Sequence, residues 1–230
     1  LNDQEVYEKI FHDGKWVGIF QFAERGAQKF AKKAKPKSIV DISAITSIFR
    51  PGPLSAGVHN DYVAAIRDPL SVRYENEIIE EYTRETNGFL IFQEQIALLA
   101  HHLGKDLGLD DANLLRKLLT KKGLDPAKEA KKEEIDELWQ KFEYFSGYGF
   151  NKSHAVSYSI VSYQCAWLAT YYNAEWCCAF LDKEPETRKE KAINIVKAQG
   201  YNVKPLNINT SGRNWTVLDG TTLVAPLTTI

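Results

Sequence analysis

The sequence has 230 residues, which suffices for one large domain or for a medium-sized domain with an appendage. Its 44% hydrophobic and 26% charged residues are ordinary for a globular protein, and the formal net charge of −1 excludes the strongly basic composition of many nucleic-acid-binding domains. No apolar run is long enough to span a membrane, so the sequence predicts no membrane anchor. The three cysteines lack a zinc-binding spacing, so it predicts no structural metal, and free thiols fit a reducing cytosol.

Hydrophobic periodicity along the chain predicts a mainly α protein. The predicted helices cover residues 2–11, 24–35, 39–49, 75–85, 91–103, 113–122, 125–145, 153–172, 173–181 and 184–199. Polar residues suited to cap helix N-termini are Ser38, Asp110, Ser153 and Asn173. Residues 16–22 alternate apolar and polar side chains, which predicts an extended segment.

The composition changes after Gly200, where the chain becomes rich in Thr, Val and Asn. Asp219-Gly220 is a typical hairpin turn between two short β-prone runs, 215–218 and 222–225. The sequence therefore predicts a helical domain over residues 1–200 and a small C-terminal β appendage over residues 201–230.

A first candidate site is Arg50, which precedes Pro51-Gly52-Pro53. Two prolines around a glycine make a rigid turn, and such a turn would hold the arginine at a defined place. The alternative is a simple helix end at which the arginine interacts with the negative end of the helix dipole.

A second candidate is the basic stretch that follows Asn113. At helical spacing the leucines of residues 114–119 share one side, and Arg116, Lys117 and Lys121 share the other. Lys117 and Lys121 are four residues apart and should repel by roughly 0.2–0.5 kcal/mol, and no acidic residue lies between residues 113 and 122. This density of charge fits a phosphate-binding surface, and a solvated cationic face is the alternative.

A third candidate is the loop over residues 148–154, which delivers Lys152 and His154 to the start of a helix. A helix N-terminus already carries partial positive charge, so cations there favour a bound anion such as phosphate. The alternative is a capped helix with an exposed lysine. Aromatic residues crowd this region, and one or two of them could stack on a base.

Together the three candidates suit a polyphosphate. Phosphoryl or nucleotidyl transfer needs positioning, charge stabilisation and metal ions held by carboxylates. The sequence has no Asp-x-Asp motif, so it predicts a chain that binds phosphates but has no metal site of its own.

The candidate segments also match a known family in order and spacing. The matching motifs are GIFQF at 18–22 with Arg25-Gly26, FRPGP at 49–53, FQEQ at 92–95, LRK at 115–117 with Lys121-Lys122, YGFNKSH at 148–154, SYQ at 162–164 and Ala174-Glu175. They resemble the fingers region of C-family bacterial replicative DNA polymerases, the DNA polymerase III alpha subunits, over nearly the whole chain. Lys117 departs from the family, which commonly has a second arginine there, and it loses the bidentate fork.

The resemblance implies the fingers portion of a DNA-directed DNA polymerase, which binds the triphosphate of the incoming dNTP and packs over the nascent base pair. The residues implied to bind nucleotide are Arg50, Arg116, Lys117, Lys121, Lys122, Asn151, Lys152 and His154. It places no catalytic or metal-binding residue in this chain. Mg²⁺ is expected in the full polymerase, on aspartates of a palm domain outside the chain, so this portion alone is expected to be inactive.

The expected partners are dNTP, primer–template DNA and a palm domain, with a sliding clamp as a further candidate and no membrane. The expected location is the cytoplasm, in association with the nucleoid. The absence of methionine leads us to expect a piece of a longer protein. Two alternatives stay open: a module that binds the DNA backbone without dNTP, and a scaffold derived from a polymerase.

Overall fold

The structure is a computed structural model that describes residues 1–104, 108–120 and 149–229. The described residues form eleven α-helices and one small sheet, which confirms the mainly α prediction. No helix among them is both long and apolar enough to cross a membrane. The helix predicted over residues 125–145 lies outside the described residues.

The helices follow the predicted order except for two over Pro51–Ser55 and Val58–Arg67, which were not predicted. They are α1 (Gln4–Val6), α2 (Arg25–Ala34), α3 (Ile39–Ile48), α4 (Pro51–Ser55), α5 (Val58–Arg67), α6 (Glu77–Thr83), α7 (Gln93–Leu103), α8 (Leu109–Thr120), α9 (Lys152–Tyr171), α10 (Asn173–Lys183) and α11 (Glu186–Ala198). A π-helical segment, Tyr7–His12, continues α1, and 3₁₀ turns cover Pro69–Ser71, Arg84–Thr86 and Leu227–Thr229.

Two compact units make up the chain. One combines Leu1–Lys32 with Ile160–Ile230, and the other is Lys33–Ser159. The division into 1–200 and 201–230 stays a prediction about domains, since these units describe packing.

The sheet of the first unit has three strands, β1 (Asn202–Lys204), β2 (Thr216–Val217) and β3 (Thr222–Val224), in the order β1-β3-β2. The predicted hairpin is confirmed: β2 and β3 are antiparallel, and the Asp219 carboxylate accepts the Thr222 N–H at 2.7 Å. Strand β1 was not predicted, and it pairs with β3 in parallel.

The sheet packs on the last two helices. Leu223 of β3 lies in one buried cluster with Leu181 of α10 and Val196 of α11. Trp215 is 8% exposed in the same cluster, and its backbone N–H donates to the Asp182 carboxylate at 3.0 Å. The β residues therefore complete the core of α10 and α11, because the helices alone would leave these apolar side chains in water.

Residues 16–22 are not extended, so that prediction was wrong. Ile19 N–H donates to Trp16 C=O and Phe22 N–H donates to Ile19 C=O, which makes consecutive turns. Gln21 adopts a positive φ of 67°. The turns bring the Trp16 and Phe22 rings into a stack with centroids 5.5 Å apart. Aromatic packing on one side thus overrides the alternating pattern.

Two predicted caps differ in the structure. Helix α8 begins at Leu109, and its first bond runs from Ala112 N–H to the Gly108 carbonyl, so Asp110 lies inside the first turn. Asn173 lies inside α10, and its side-chain amide donates to the Ala169 carbonyl at 2.8 Å. This amide satisfies the end of α9, where helix carbonyls lack partners.

Helix α3 contributes buried residues to the second unit. The Ser38 hydroxyl accepts the Asp41 N–H at 3.1 Å, which confirms the predicted cap. Ile42 is fully buried, and the Ser43 hydroxyl donates to the Ser159 hydroxyl at 3.0 Å in the interior. Helix α3 and the first part of α9 therefore share this core.

Candidate functional site

Segment 149–154 enters α9 through a side-chain cap. The Asn151 side-chain oxygen accepts the His154 N–H at 2.8 Å and the Ser153 hydroxyl at 2.7 Å. The cap is therefore Asn151, and the prediction of Ser153 was wrong. Because α9 starts at Lys152, Ser153 already lies in the first turn, and Asn151 is the residue just outside it.

The start of α7 holds this segment by backbone and side-chain bonds. Phe150 N–H donates to Ile91 C=O at 3.0 Å, and Gln93 N–H donates to Phe150 C=O at 2.9 Å. The Gln93 side chain also donates to the Gly149 carbonyl at 3.0 Å. These bonds form an isolated parallel bridge between Phe92 and Phe150. The segment is thus attached directly to the N-terminus of α7.

Glu94 adds a second attachment. One carboxylate oxygen accepts the Asn151 side-chain amide at 2.9 Å, and the other accepts the Lys152 backbone N–H at 2.9 Å. A carboxylate suits a helix N-terminus because it pairs an otherwise orphaned N–H and meets the positive end of the dipole. A carboxylate of the chain itself therefore meets this end of α9, and the phosphate site expected there from the sequence stays a prediction.

Gln95 makes the start of α7 rigid. Its side chain is 3% exposed, and its oxygen accepts the N–H groups of Ile91 and Phe92, both at 2.9 Å. Its amide donates to the Tyr82 carbonyl at 2.9 Å and to the Thr86 hydroxyl at 2.8 Å. The glutamine thereby fixes the residues to which segment 149–154 is bonded.

Arg50 reaches the same segment from the end of α3. Its guanidinium carbon lies 4.7 Å from the centroid of the Phe150 ring, and its Nε–H donates to the Ser47 carbonyl at 2.7 Å. Burial lowers the pKa of the Arg50 guanidinium. The predicted rigid turn is a short helix, α4, because Pro51 suits the first helical position. Both interpretations of Arg50 are thus compatible, because the side chain bonds to a carbonyl at the end of α3 and also faces segment 149–154.

Arg116 approaches from α8. Its guanidinium donates to the Gln93 side-chain oxygen at 2.7 Å, because α8 packs on α7 through buried Leu115. Lys117 follows on the exposed side of α8. The predicted leucine face is divided, since Leu115 is fully buried whereas Leu114 is 46% exposed. Neighbouring helix positions point about 100° apart, so the two leucines cannot share one narrow face.

Lys152 forms an ion pair that the sequence did not indicate. Its ammonium lies 2.5 Å from the Glu85 carboxylate and 5.8 Å from the centroid of the Phe92 ring. The two charged side chains are 35% and 37% exposed, so solvent can reach the pair. The lysine is therefore held in place but accessible.

His154 stands in a row of rings along the first turns of α9. Its ring centroid lies 4.1 Å from that of Tyr158 and 5.5 Å from that of Phe150. His154 is exposed and Tyr158 is 39% exposed. The row offers aromatic surface of the kind on which bases stack.

The structure brings five of the predicted site residues together around segment 149–154. They are Arg50, Arg116, Asn151, Lys152 and His154. Lys117 adjoins Arg116 on α8, and Lys121 and Lys122 lie outside the described residues.

Sequence reasoning did not assign roles to the residues that hold these side chains. They are Glu85, Gln93, Glu94 and Gln95. The FQEQ motif at 92–95 was a signal for three of them, but only through its family resemblance. Glu85 lies at the end of the helix predicted over residues 75–85, and no local feature of the sequence pairs it with Lys152.

Both carboxylates at the site contact nitrogen donors of the chain. Glu85 pairs with Lys152, and Glu94 bonds to Asn151 and the Lys152 backbone. Across residues 1–104, 108–120 and 149–229, no group of three or more His, Cys, Asp or Glu side chains is arranged to hold a metal ion.

Comparison with known proteins gives a consistent result. The family model of the bacterial DNA polymerase III alpha subunit finger domain matches residues 1–141. DNA polymerase III subunit alpha of Aquifex aeolicus is 33% identical over 94% of the chain, that of Treponema pallidum is 31% identical over 96%, and that of Campylobacter jejuni is 30% identical over 95%. The chain spans 19–20% of the length of these relatives.

Proposed function

The chain belongs to the bacterial DNA polymerase III alpha subunit family, whose finger domain it matches, and we propose that segment 149–154 and the cations around it bind the triphosphate of an incoming dNTP. In this proposal the nascent base pair packs against the same region during template-directed DNA synthesis. The observation that carries the proposal is that two arginines lie beside the segment that carries Lys152: Arg50 faces the Phe150 ring, and Arg116 bonds to Gln93, which itself bonds to Gly149.

The side chains suit the chemistry of a polyphosphate. Arginine presents a planar fork of donors that matches phosphate oxygens, and lysine supplies a compact point charge. Arg50, Arg116 and Lys152 give the site three cationic side chains against the two carboxylates of Glu85 and Glu94. These cations would offset part of the negative charge of the triphosphate and of the leaving pyrophosphate in the transition state.

Binding of a phosphate requires an exchange at Lys152. A partly exposed ion pair such as Lys152–Glu85 contributes roughly 0.2–1 kcal/mol. A triphosphate offers the same ammonium several anionic oxygens and a larger negative charge than one carboxylate. The triphosphate therefore displaces Glu85 from the lysine, and the cost of the exchange is small.

The row of aromatic rings along the first turns of α9 offers a surface on which the base of the nucleotide can stack. His154 and Tyr158 are exposed with their rings 4.1 Å apart. We propose that the nascent base pair packs on this row, since stacking contributes roughly 1–3 kcal/mol per base and tolerates all four bases.

The metal ions are assigned to another part of the protein. Nucleotidyl transfer uses Mg²⁺ held by carboxylates. Since no group of three or more His, Cys, Asp or Glu side chains within the described residues is arranged to hold a metal ion, we propose that aspartates of a palm domain outside this chain hold the metal. This chain then positions and neutralises the triphosphate, and activity requires the palm. Roles for a sliding clamp and for nucleoid association stay predictions.

Steady-state kinetics in the polymerase that contains this chain test the proposal. Lys152→Ala and Arg116→Ala should each lower kcat/KM for dNTP by roughly tenfold to a hundredfold, because each removes a charge-assisted hydrogen bond to phosphate. Arg67→Ala is the matched control, since Arg67 is exposed at the end of α5. Equal kcat/KM for all three variants would refute the assignment.

The alternative of a DNA-backbone-binding module gives a different result in the same variants. Loss of DNA affinity, with a steep dependence on salt and no change in the response to dNTP, would favour it.

A further inference from the structure

We propose that Glu94 is a positioning residue for the nucleotide site, and that its carboxylate holds segment 149–154 in the geometry that presents Lys152 and His154. The link to catalysis rests on the proposed function, whereas the link to the segment rests on hydrogen bonds alone. Neither the family match nor the relatives assign a role to this side chain.

The carboxylate contacts the segment at two independent points. Its oxygens accept the Asn151 side-chain amide and the Lys152 backbone N–H, each at 2.9 Å. These partners lie 57 and 58 residues away along the chain, so the contact fixes segment 149–154 to α7. Both donors belong to residues predicted to bind nucleotide, and Glu94 is the side chain that joins them.

Glu94 also fixes the orientation of the Asn151 amide. With its nitrogen bonded to Glu94, the Asn151 oxygen points to the His154 N–H and the Ser153 hydroxyl, which begins α9. A reversed amide would set its NH₂ group against the His154 N–H, donor against donor. The carboxylate therefore determines where the helix starts and where His154 emerges.

The chemistry requires a carboxylate. Ionised glutamate offers acceptors on both oxygens, and both of its partners here are donors. The carboxamide introduced by Glu94→Gln keeps the size and one acceptor, but its NH₂ group must then face a second donor. This substitution removes the arrangement without creating a cavity, so it separates positioning from packing.

The effect on the reaction should pass through Lys152. Arg50 bonds to Ser47 and Arg116 bonds to Gln93, and neither partner lies in segment 149–154, so these bonds do not depend on Glu94. Lys152 depends on it through its backbone N–H. Once Lys152 is removed, loss of Glu94 should therefore cost little more, which is the non-additive behaviour of residues in one network.

The test uses the complete polymerase in five forms: wild type, Glu94→Gln, Lys152→Ala, the double variant, and Glu77→Gln as a control. Glu77 is exposed and lies in the first turn of α6 in the same unit. Hydrogen exchange over residues 149–154 is measured without nucleotide, and kcat and KM for dNTP are measured with primer–template DNA.

We expect Glu94→Gln to accelerate exchange of the Lys152 amide by roughly tenfold to a hundredfold, and Glu77→Gln to leave it unchanged. We expect Glu94→Gln to raise KM for dNTP roughly tenfold, and to raise it by less than about threefold in the Lys152→Ala background.

Unchanged exchange in Glu94→Gln overturns the role of Glu94, whatever the kinetics. Accelerated exchange with an unchanged KM, in a protein where Lys152→Ala does raise KM, overturns the link to the nucleotide site. Full additivity of the two substitutions in KM indicates a merely structural role and also overturns it. Unchanged KM in Lys152→Ala refutes the proposed function instead, and the exchange data then still decide whether Glu94 holds the segment.

Discussion

Replacing Gln95 by leucine should loosen the start of α7 more than any surface change. The side chain is 3% exposed, and its four hydrogen bonds join the N–H groups of Ile91 and Phe92 to the Tyr82 carbonyl and the Thr86 hydroxyl. Gln95→Leu preserves the volume but leaves three backbone groups without this partner. At roughly 1–3 kcal/mol for each buried unsatisfied group, the low end of the range already gives about 3 kcal/mol.

That loss is a large part of the 5–15 kcal/mol by which a typical domain is stable. Hydrogen exchange over residues 91–104 in the intact protein measures it, and about 3 kcal/mol corresponds to exchange roughly a hundredfold faster. Gln164→Leu, at an exposed position of α9, is the control and should stay within about 0.5 kcal/mol of wild type. Equal exchange in Gln95→Leu and the control would show that water or a rearranged backbone satisfies these groups, and would refute the reasoning.

Three further predictions concern the ion pair, a helix cap and the thiols. Glu85→Gln should lower KM for dNTP by about two- to fivefold, because it frees Lys152 from a surface ion pair, and an equal decrease in the Lys152→Ala background would contradict this. Ser38→Ala should destabilise the first turn of α3 by about 1 kcal/mol, measured as faster exchange of the Asp41 amide, since it removes the cap at 3.1 Å. Burial raises the pKa of Cys177 to about 12 and that of Cys178 to about 11, so both thiols should react with iodoacetamide at pH 8 only after unfolding, and rapid labelling of the folded protein would disprove this.

Local chemistry in the sequence was enough for many elements of the fold. Ser38 caps α3 through the Asp41 N–H three residues away, and the Asp219 turn joins two neighbouring strands. Such features depend on residues close together in the chain, so their pattern is visible without the tertiary structure. The same limit explains why β1 was missed, because its three residues pair in parallel with β3, and a parallel pair leaves no hairpin signal.

The candidate site was predictable in its cations but not in the residues that hold them. Arg116 and Lys152 stood out as charges without local compensation. Their partners are distant in the chain: Glu85 lies 67 residues from Lys152, and Gln93 lies 23 residues from Arg116. Charge compensation over such separations is set by how α7, α8 and α9 meet, and no short-range pattern records it.

The capping error at α9 has the same origin. Ser153 and Asn151 are both good capping residues, and the sequence alone does not choose between them. Glu94 makes the choice by binding the Asn151 amide and thereby orienting its oxygen toward the His154 N–H. A contact from another helix thus decides a local feature of the chain.

The binding of dNTP to a stalled complex tests the central claim most directly. The polymerase is assembled on primer–template DNA whose primer end cannot be extended, and the Kd of the next correct dNTP is measured with Mg²⁺ present, alongside the Kd for DNA. The account predicts that Lys152→Ala raises the Kd for dNTP roughly tenfold to a hundredfold while the Kd for DNA and both values in Arg67→Ala stay at wild type. An unchanged Kd for dNTP, or a weakening confined to DNA, would contradict it.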